Sequence, residues 1–219
     1  MKVIITGSTG MVGEGVLLEC LINPNVKEIL IVNRRPYEGK RNFKLKELIV
    51  PDFFNLEGVK EQLKGYDACF YCAGKSSVGM NEQDYTRITY DTVMLFAKTL
   101  LSLNPGMTFC HVSGTSTDSS EKGNVMWARI KGKAENGLMK LPFKAVYNFR
   151  PALMKPTTGQ KYLSGYNKMY PVLYPVLRLF MPSKACTMQE IGQAMINSVL
   201  KGYPKQILEV RDIKLQAKE

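Results

Sequence analysis

The segment HVSGTSTDSSEKGNVMWARIKGK, residues 111–133, holds side chains whose types and spacing could move a proton. Ser113 and Thr115 follow an apolar run, and Trp127 lies four residues before Lys131, a spacing that puts both on one face of a helix. A hydroxyl that orients a substrate oxygen, an ammonium, and a phenol whose pKa that ammonium lowers would make a general acid–base site. The phenol is missing. An indole N–H at Trp127 donates a hydrogen bond but is no proton acid near neutral pH. Three readings stay open: an acid relocated to Tyr90, or to Tyr85, Tyr162 or Tyr166; a reaction that needs no strong acid, with Trp127 stacked on a flat substrate; or no chemistry, with Trp127 simply packing. Ser113, Thr115 and Ser116 also suit a turn at a strand end. His111, the single histidine, shares a strand face with Ser113 but is too far along the strand for a direct nucleophile–base bond, and reads as a strand residue.

The second constellation is Thr6-Gly7-Ser8-Thr9-Gly10-Met11-Val12-Gly13. It stands between an apolar run and an amphipathic pattern, where glycines allow a tight turn and let backbone approach a pyrophosphate at a helix start. Its spacing is Gly-x-x-Gly-x-x-Gly rather than the commoner Gly-x-Gly-x-x-Gly. About twenty residues beyond Gly13, where an NAD enzyme places a carboxylate on the ribose 2′-hydroxyl, the chain has Asn33-Arg34-Arg35. Guanidiniums grip a 2′-phosphate that a carboxylate would repel, so NADP(H) is expected in preference to NAD(H).

Alternating elements must position these groups. Strand-like runs at 2–6, 28–33, 46–50, 67–72, 107–113 and 145–151 alternate with helical patterns, among them one from Met11 to Ile22, one from about Glu82 to Leu103, and the helix of Trp127 and Lys131. That order predicts an α/β fold: a doubly wound parallel sheet of Rossmann type, with a small C-terminal elaboration on the substrate side. The expectation is one NAD(P)-binding domain over 1–219, with 152–219 as a substrate-side cap that includes a helix near 188–200 and a strand near 206–210. Met154, Tyr162, Tyr166, Met169 and Tyr170 suit a small hydrophobic or aromatic substrate.

Gly7 to Gly13, Asp52, Cys72-Ala73-Gly74, the Ser113 region, Lys131 and Phe149-Arg150-Pro151 together resemble the atypical short-chain dehydrogenases/reductases of the NAD(P)-dependent epimerase/dehydratase superfamily. The resemblance covers residues 1 to about 155. It implies that Asp52 meets adenine, that Ala73 and Gly74 border the adenosine, and that Lys131 holds the nicotinamide ribose, with Cys72, Arg150 and Pro151 in the same cofactor-binding set. It implies a Tyr-x-x-x-Lys pair, from which this chain departs at Trp127. The family offset favours Thr115 as the orienting hydroxyl, with Ser113 as a rival, and places Tyr90 on the helix beside the cofactor. An oxidoreductase is expected; a non-catalytic dinucleotide-binding regulator and a nucleotide-sugar epimerase or dehydratase are the alternatives.

Thirty Lys plus Arg against nineteen Asp plus Glu give a net charge of +11, which invites an anionic partner. The charges are scattered and no aromatic-basic motif accompanies them, so a small-molecule substrate is expected rather than nucleic acid. Five cysteines, an odd number, and a start that runs straight from Met1 into a strand point to a reducing cytoplasm. Cys69 and Cys72, three apart on a strand, point to opposite faces and do not read as a redox pair. One histidine and dispersed cysteines give no metal site. The apolar stretch 166–182 is broken by prolines and Arg178; it reads as a pocket lining or homodimer contact, with peripheral membrane contact as the lesser alternative.

Overall fold

The computed structural model describes residues 1–39, 42–163, 174, 179, 181 and 183–219. Its main sheet contains β1 (Lys2–Thr6), β2 (Glu28–Asn33), β3 (Leu45–Ile49), β4 (Ala68–Tyr71), β5 (Thr108–Val112), β6 (Ala145–Arg150) and β9 (Ile207–Glu209). The order is β3-β2-β1-β4-β5-β6-β9, and every neighbouring pair is parallel. The short β7 (Leu153–Lys155) and β8 (Ala185–Thr187) form a separate two-stranded ribbon. Helices among the described residues include α1 (Met11–Ile22), α2 (Glu82–Thr86), α3 (Thr92–Leu103), α4 (Met126–Met139), α5 (Met188–Leu200) and α6 (Val210–Gln216).

Alternation along each strand builds two apolar layers. Val3, Ile5, Ile29, Ile31, Phe70 and Phe149 pack against α1 and α5 through Val16, Leu17, Ile191 and Met195. Ile4, Leu30, Val32, Cys69, Tyr71 and Phe109 pack on the other face against α3 and α4 through Val93, Phe96, Ala134 and Leu138. A strand buried on both faces must be apolar throughout, which is why KVIIT and EILIVN read as continuous runs. Cys69 and Cys72 fall on opposite layers, as the two-residue period requires.

The segment 82–103, read from sequence as one helix, contains a π-helical turn at Arg87–Asp91 between α2 and α3. Of the region expected as a cap, β9 extends the main sheet and α5 packs on α1. That contact is close: a Cβ at Gly15 would lie 2.7 Å from the Met188 side chain, and one at Gly192 2.7 Å from Glu19. Tyr166, Met169 and Tyr170 lie outside the described residues.

Candidate active site

The strand order reverses between β1 and β4, so the chain leaves a crevice beyond their carboxyl ends, where ligands of open α/β sheets sit. Gly7 has φ +71°, and a Cβ there would lie 2.8 Å from the backbone of Ala73. A Cβ at Gly13 would lie 2.1 Å from the Gly7 carbonyl oxygen. The turn therefore packs backbone on backbone against the end of β4, where Thr6 Oγ1 accepts from the amides of Cys72 and Ala73, both at 3.1 Å. No side chain caps α1 at Gly10. A glycine cradle opening on an uncapped helix start offers amides and a partial positive charge to a phosphate.

Asn33 is 2 % exposed and turned inward: its Nδ2 donates to Ser8 Oγ (2.8 Å) and its Oδ1 accepts from the Ser8 amide (3.2 Å). Its amide and the Ser8 side chain shape the loop instead of offering themselves to a ribose. Arg34 and Arg35 are exposed on the rim and form no ion pair among the described residues.

The cleft has a volume of about 390 Å³. Gly7, Thr9, Gly10, Asn33, Arg34, Arg35, Asp52, Cys72, Ala73 and Gly74 line it, each named from sequence as cofactor-binding. Ser8, Met11, Val12, Gly13, Lys131, Arg150 and Pro151 are not in that lining. Asp52 Oδ1 accepts from the Phe54 amide (2.9 Å), a local turn that leaves its second oxygen uncommitted to that bond. Val32, Pro51, Phe53, Phe54, Tyr71, Lys75, Ile88 and Thr92 complete the wall and were not foreseen. The Phe pair follows Asp52 directly, a readable signal; Ile88 and Thr92 depend on the π-helical turn, which no local pattern announced. Arg87 lies over the Phe54 ring at 5.0 Å.

Beyond the carboxyl end of β5, Lys131 Nζ donates to the Ser113 carbonyl (3.1 Å), and burial lowers the lysine pKa against the opposing pull of Glu135. Thr117 Oγ1 lies 2.7 Å from the Gly114 carbonyl, to which it donates, and 3.0 Å from Ser113 Oγ. Its single proton is committed, so Ser113 is the donor between the two hydroxyls. Thr115 is half-buried; its amide donates to Pro151 O (3.0 Å), while its hydroxyl has no hydrogen-bond partner among the described residues. The neighbouring Ser116 adopts φ 64°, a left-handed conformation rare for a residue other than glycine.

Trp127 is half-buried, on the same stripe of α4 as Lys131 and Glu135. Tyr90 lies in the π-helical turn with its ring under Lys133 Nζ (4.5 Å) and against Gly137, two turns along α4 from the Trp127 level. Tyr85 is buried and bonded to Thr89. The Tyr162 hydroxyl accepts from the Glu38 amide (2.8 Å), and Tyr166 lies outside the described residues.

Arg150 is engaged elsewhere than in the cleft: its Nε donates to Glu135 Oε1 (3.0 Å), its Nη1 to Glu209 (3.2 Å) and its Nη2 to Ser119 Oγ (2.6 Å), so the guanidinium ties α4, β6 and β9 together. His111 is buried beside Lys131; Nδ1, assigned as the protonated nitrogen because its partner is a carbonyl oxygen, donates to Asn148 Oδ1 (3.0 Å). Burial first and the Lys131 charge second push its pKa down to about 4, against the Asn148 bond, so the ring is neutral. The Asn148 Nδ2 beside it is buried without a partner. Among the described residues no group of His, Cys, Asp and Glu could hold a metal, and no helix is long and apolar enough to cross a membrane.

A glycine cradle at the reversal of a parallel sheet defines a Rossmann-type α/β fold. The profile of the NAD dependent epimerase/dehydratase family matches residues 3–117, and the chain belongs to that family. A relative in Emericella nidulans, the mitochondrial protein fmp52, is 26% identical over 159 residues, which span 70% of this chain and 66% of its own length. The fold is similar to that of UDP-glucuronic acid 4-epimerase from Bacillus cereus, solved in complex with NAD, at a TM-score of 0.67 and 12% identity over 96% of this chain and 76% of that one. It is also similar to the oxidoreductase ylbE from Lactococcus lactis, at a TM-score of 0.56 and 15% identity over 90% of this chain and 97% of that one.

Proposed function

We propose that the protein is an NADP(H)-dependent oxidoreductase of small hydrophobic or aromatic substrates. The observation that carries the cofactor half is the pair of exposed guanidiniums of Arg34 and Arg35 on the rim of the cleft, with no ion pair among the described residues and with Asn33 rather than a carboxylate at the end of β2. The glycine loop and the uncapped start of α1 would hold the pyrophosphate, and Lys131 the nicotinamide ribose. The bound nicotinamide would supply hydride transfer. This chain's own residues would then orient the substrate oxygen through the free hydroxyl of Thr115, while Lys131 holds a positive charge beside it. Trp127 gives a flat, half-buried surface for a substrate that needs little acid assistance.

Calorimetric titration with NADPH and NADH tests this reading. Wild-type protein is expected to bind NADPH more tightly, and Arg34→Ala with Arg35→Ala to bring the two affinities within about twofold by removing charge-assisted bonds. An unchanged preference in that variant would sink the assignment.

A second reading has its own support: no tyrosine hydroxyl among the described residues is bonded to Lys131, Ser113 or Thr115. On that ground the protein would bind NADP(H) as a regulator without turnover. Consumption of NADPH with quinone or carbonyl acceptors separates the two.

A further inference from the structure

Residues 157–162 form a strap that returns from β7 across the first turn of α1 to the connection between β2 and β3. Gln160 is 9 % exposed; its Nε2 donates to the Met11 carbonyl (2.7 Å) and its Oε1 accepts from the Thr157 amide (2.7 Å). Glu14, in the first turn of α1 and 2 % exposed, accepts from the amides of Lys161 (2.9 Å) and Tyr162 (2.8 Å). A buried carboxylate is tolerated only when such donors surround it, so the strap and Glu14 require each other.

Tyr162 carries the contact further. Its ring lies against Tyr37, with centroids 5.8 Å apart, and its hydroxyl oxygen accepts from the Glu38 amide at 2.8 Å. Lys161 Nζ donates to the Glu38 carbonyl (2.7 Å). Tyr37 is 2 % exposed, its amide donating to Glu47 Oε1 (2.6 Å). Burial, then Glu14, then Tyr162 push the Tyr37 phenol up to about 12, which keeps it neutral in this cluster.

Arg34 and Arg35 therefore hang between two anchors. On one side Asn33 is fastened to Ser8; on the other Tyr37 and Glu38 are fastened to the strap. We propose that Tyr162 and Glu14 are positioning residues for recognition of the 2′-phosphate: the strap fixes the far end of the arginine loop, so that NADP(H) selectivity is set in part by a segment 124 residues further along the chain. This rests on the reading that Arg34 and Arg35 meet that phosphate. Holding a loop in its bound shape removes the ordering cost of binding, and NAD(H), which lacks the phosphate, gains nothing from it.

The test is calorimetric titration of the full chain with NADPH and with NADH, in wild type, Tyr162→Phe, Glu14→Gln and the double arginine variant, with amide hydrogen exchange at Glu38 as a second readout. Tyr162→Phe keeps the ring and removes one acceptor, so NADPH affinity is expected to fall about fivefold, the scale of one net hydrogen bond, with NADH affinity held within about twofold. Exchange at Glu38 should quicken, and Glu14→Gln should shift the ratio in the same direction. Equal weakening of both nucleotides, or an unchanged NADPH affinity while the arginine variant still loses selectivity, overturns the role of the strap. A double arginine variant with the wild-type ratio removes the 2′-phosphate reading, and this inference with it.

Discussion

Trp127 sits one helical turn before Lys131 and two before Glu135, on the stripe of α4 that reaches the ends of β5 and β6. Lys131 contacts the Ser113 carbonyl and the Thr115 hydroxyl has no partner among the described residues, and on the proposed reading these are two of the three parts of a proton-transfer site. Restoring the third by Trp127→Tyr is expected to raise carbonyl reductase activity by at least about a hundredfold, the low end of the hundred- to ten-thousand-fold range of a positioned general acid. Steady-state NADPH consumption with an aldehyde or ketone checks it; no gain in a variant that still binds cofactor would mean the pocket is reshaped around the indole. The same residues show how far side-chain roles were legible. Thr115 and Ser113 were both hydroxyls at a strand end, and only the Thr117 proton, committed to the Gly114 carbonyl, separates a bonded serine from a free threonine.

Among the elements, α4 has the most to hold in register, and a buried ion pair does it. Glu135 is fully buried and faces Arg150, which also reaches Glu209 on the last strand of the sheet. Glu135→Ala leaves a guanidinium in the interior without its main partner and is expected to destabilise the fold by about 3–5 kcal/mol, whereas Glu135→Leu with Arg150→Met should cost far less. Denaturant unfolding of the two variants decides between them. The pair was not legible in the sequence, because the partners of Arg150 lie fifteen and fifty-nine residues away and no local pattern marks them. The glycine loop, by contrast, was legible because strand, turn and helix adjoin in the chain. The single helix expected over 82–103 misses its π-helical turn for the same reason as Arg150, since the turn answers to packing on α4 and to the cleft wall.

For the molecule as a whole, the buried neutral His111 makes stability depend on pH. Its folded pKa of about 4 lies below the ordinary histidine value of about 6.5, so the unfolded chain binds the extra proton between them. Stability from this group is complete above that ordinary value and is lost as pH falls through the window to about 4, by up to roughly 3 kcal/mol. Glu19, whose pKa burial raises, acts with the opposite sign, so the informative comparison is between wild type and His111→Gln: the variant should lose less stability between about pH 7 and pH 4.5 in denaturant titrations. Fold class was readable from the alternation of elements, because the buried strands carry their own apolar runs; the strand order, the strap and the α5 contact on α1 were not. That contact has a consequence for biosynthesis. The α1 helix is covered by α5, which follows it far along the chain, so at about 5–20 residues per second its cover emerges from the ribosome roughly ten to thirty seconds after it. Until then the nascent α1 carries its complete glycine signature with the side that Met188 will cover left bare.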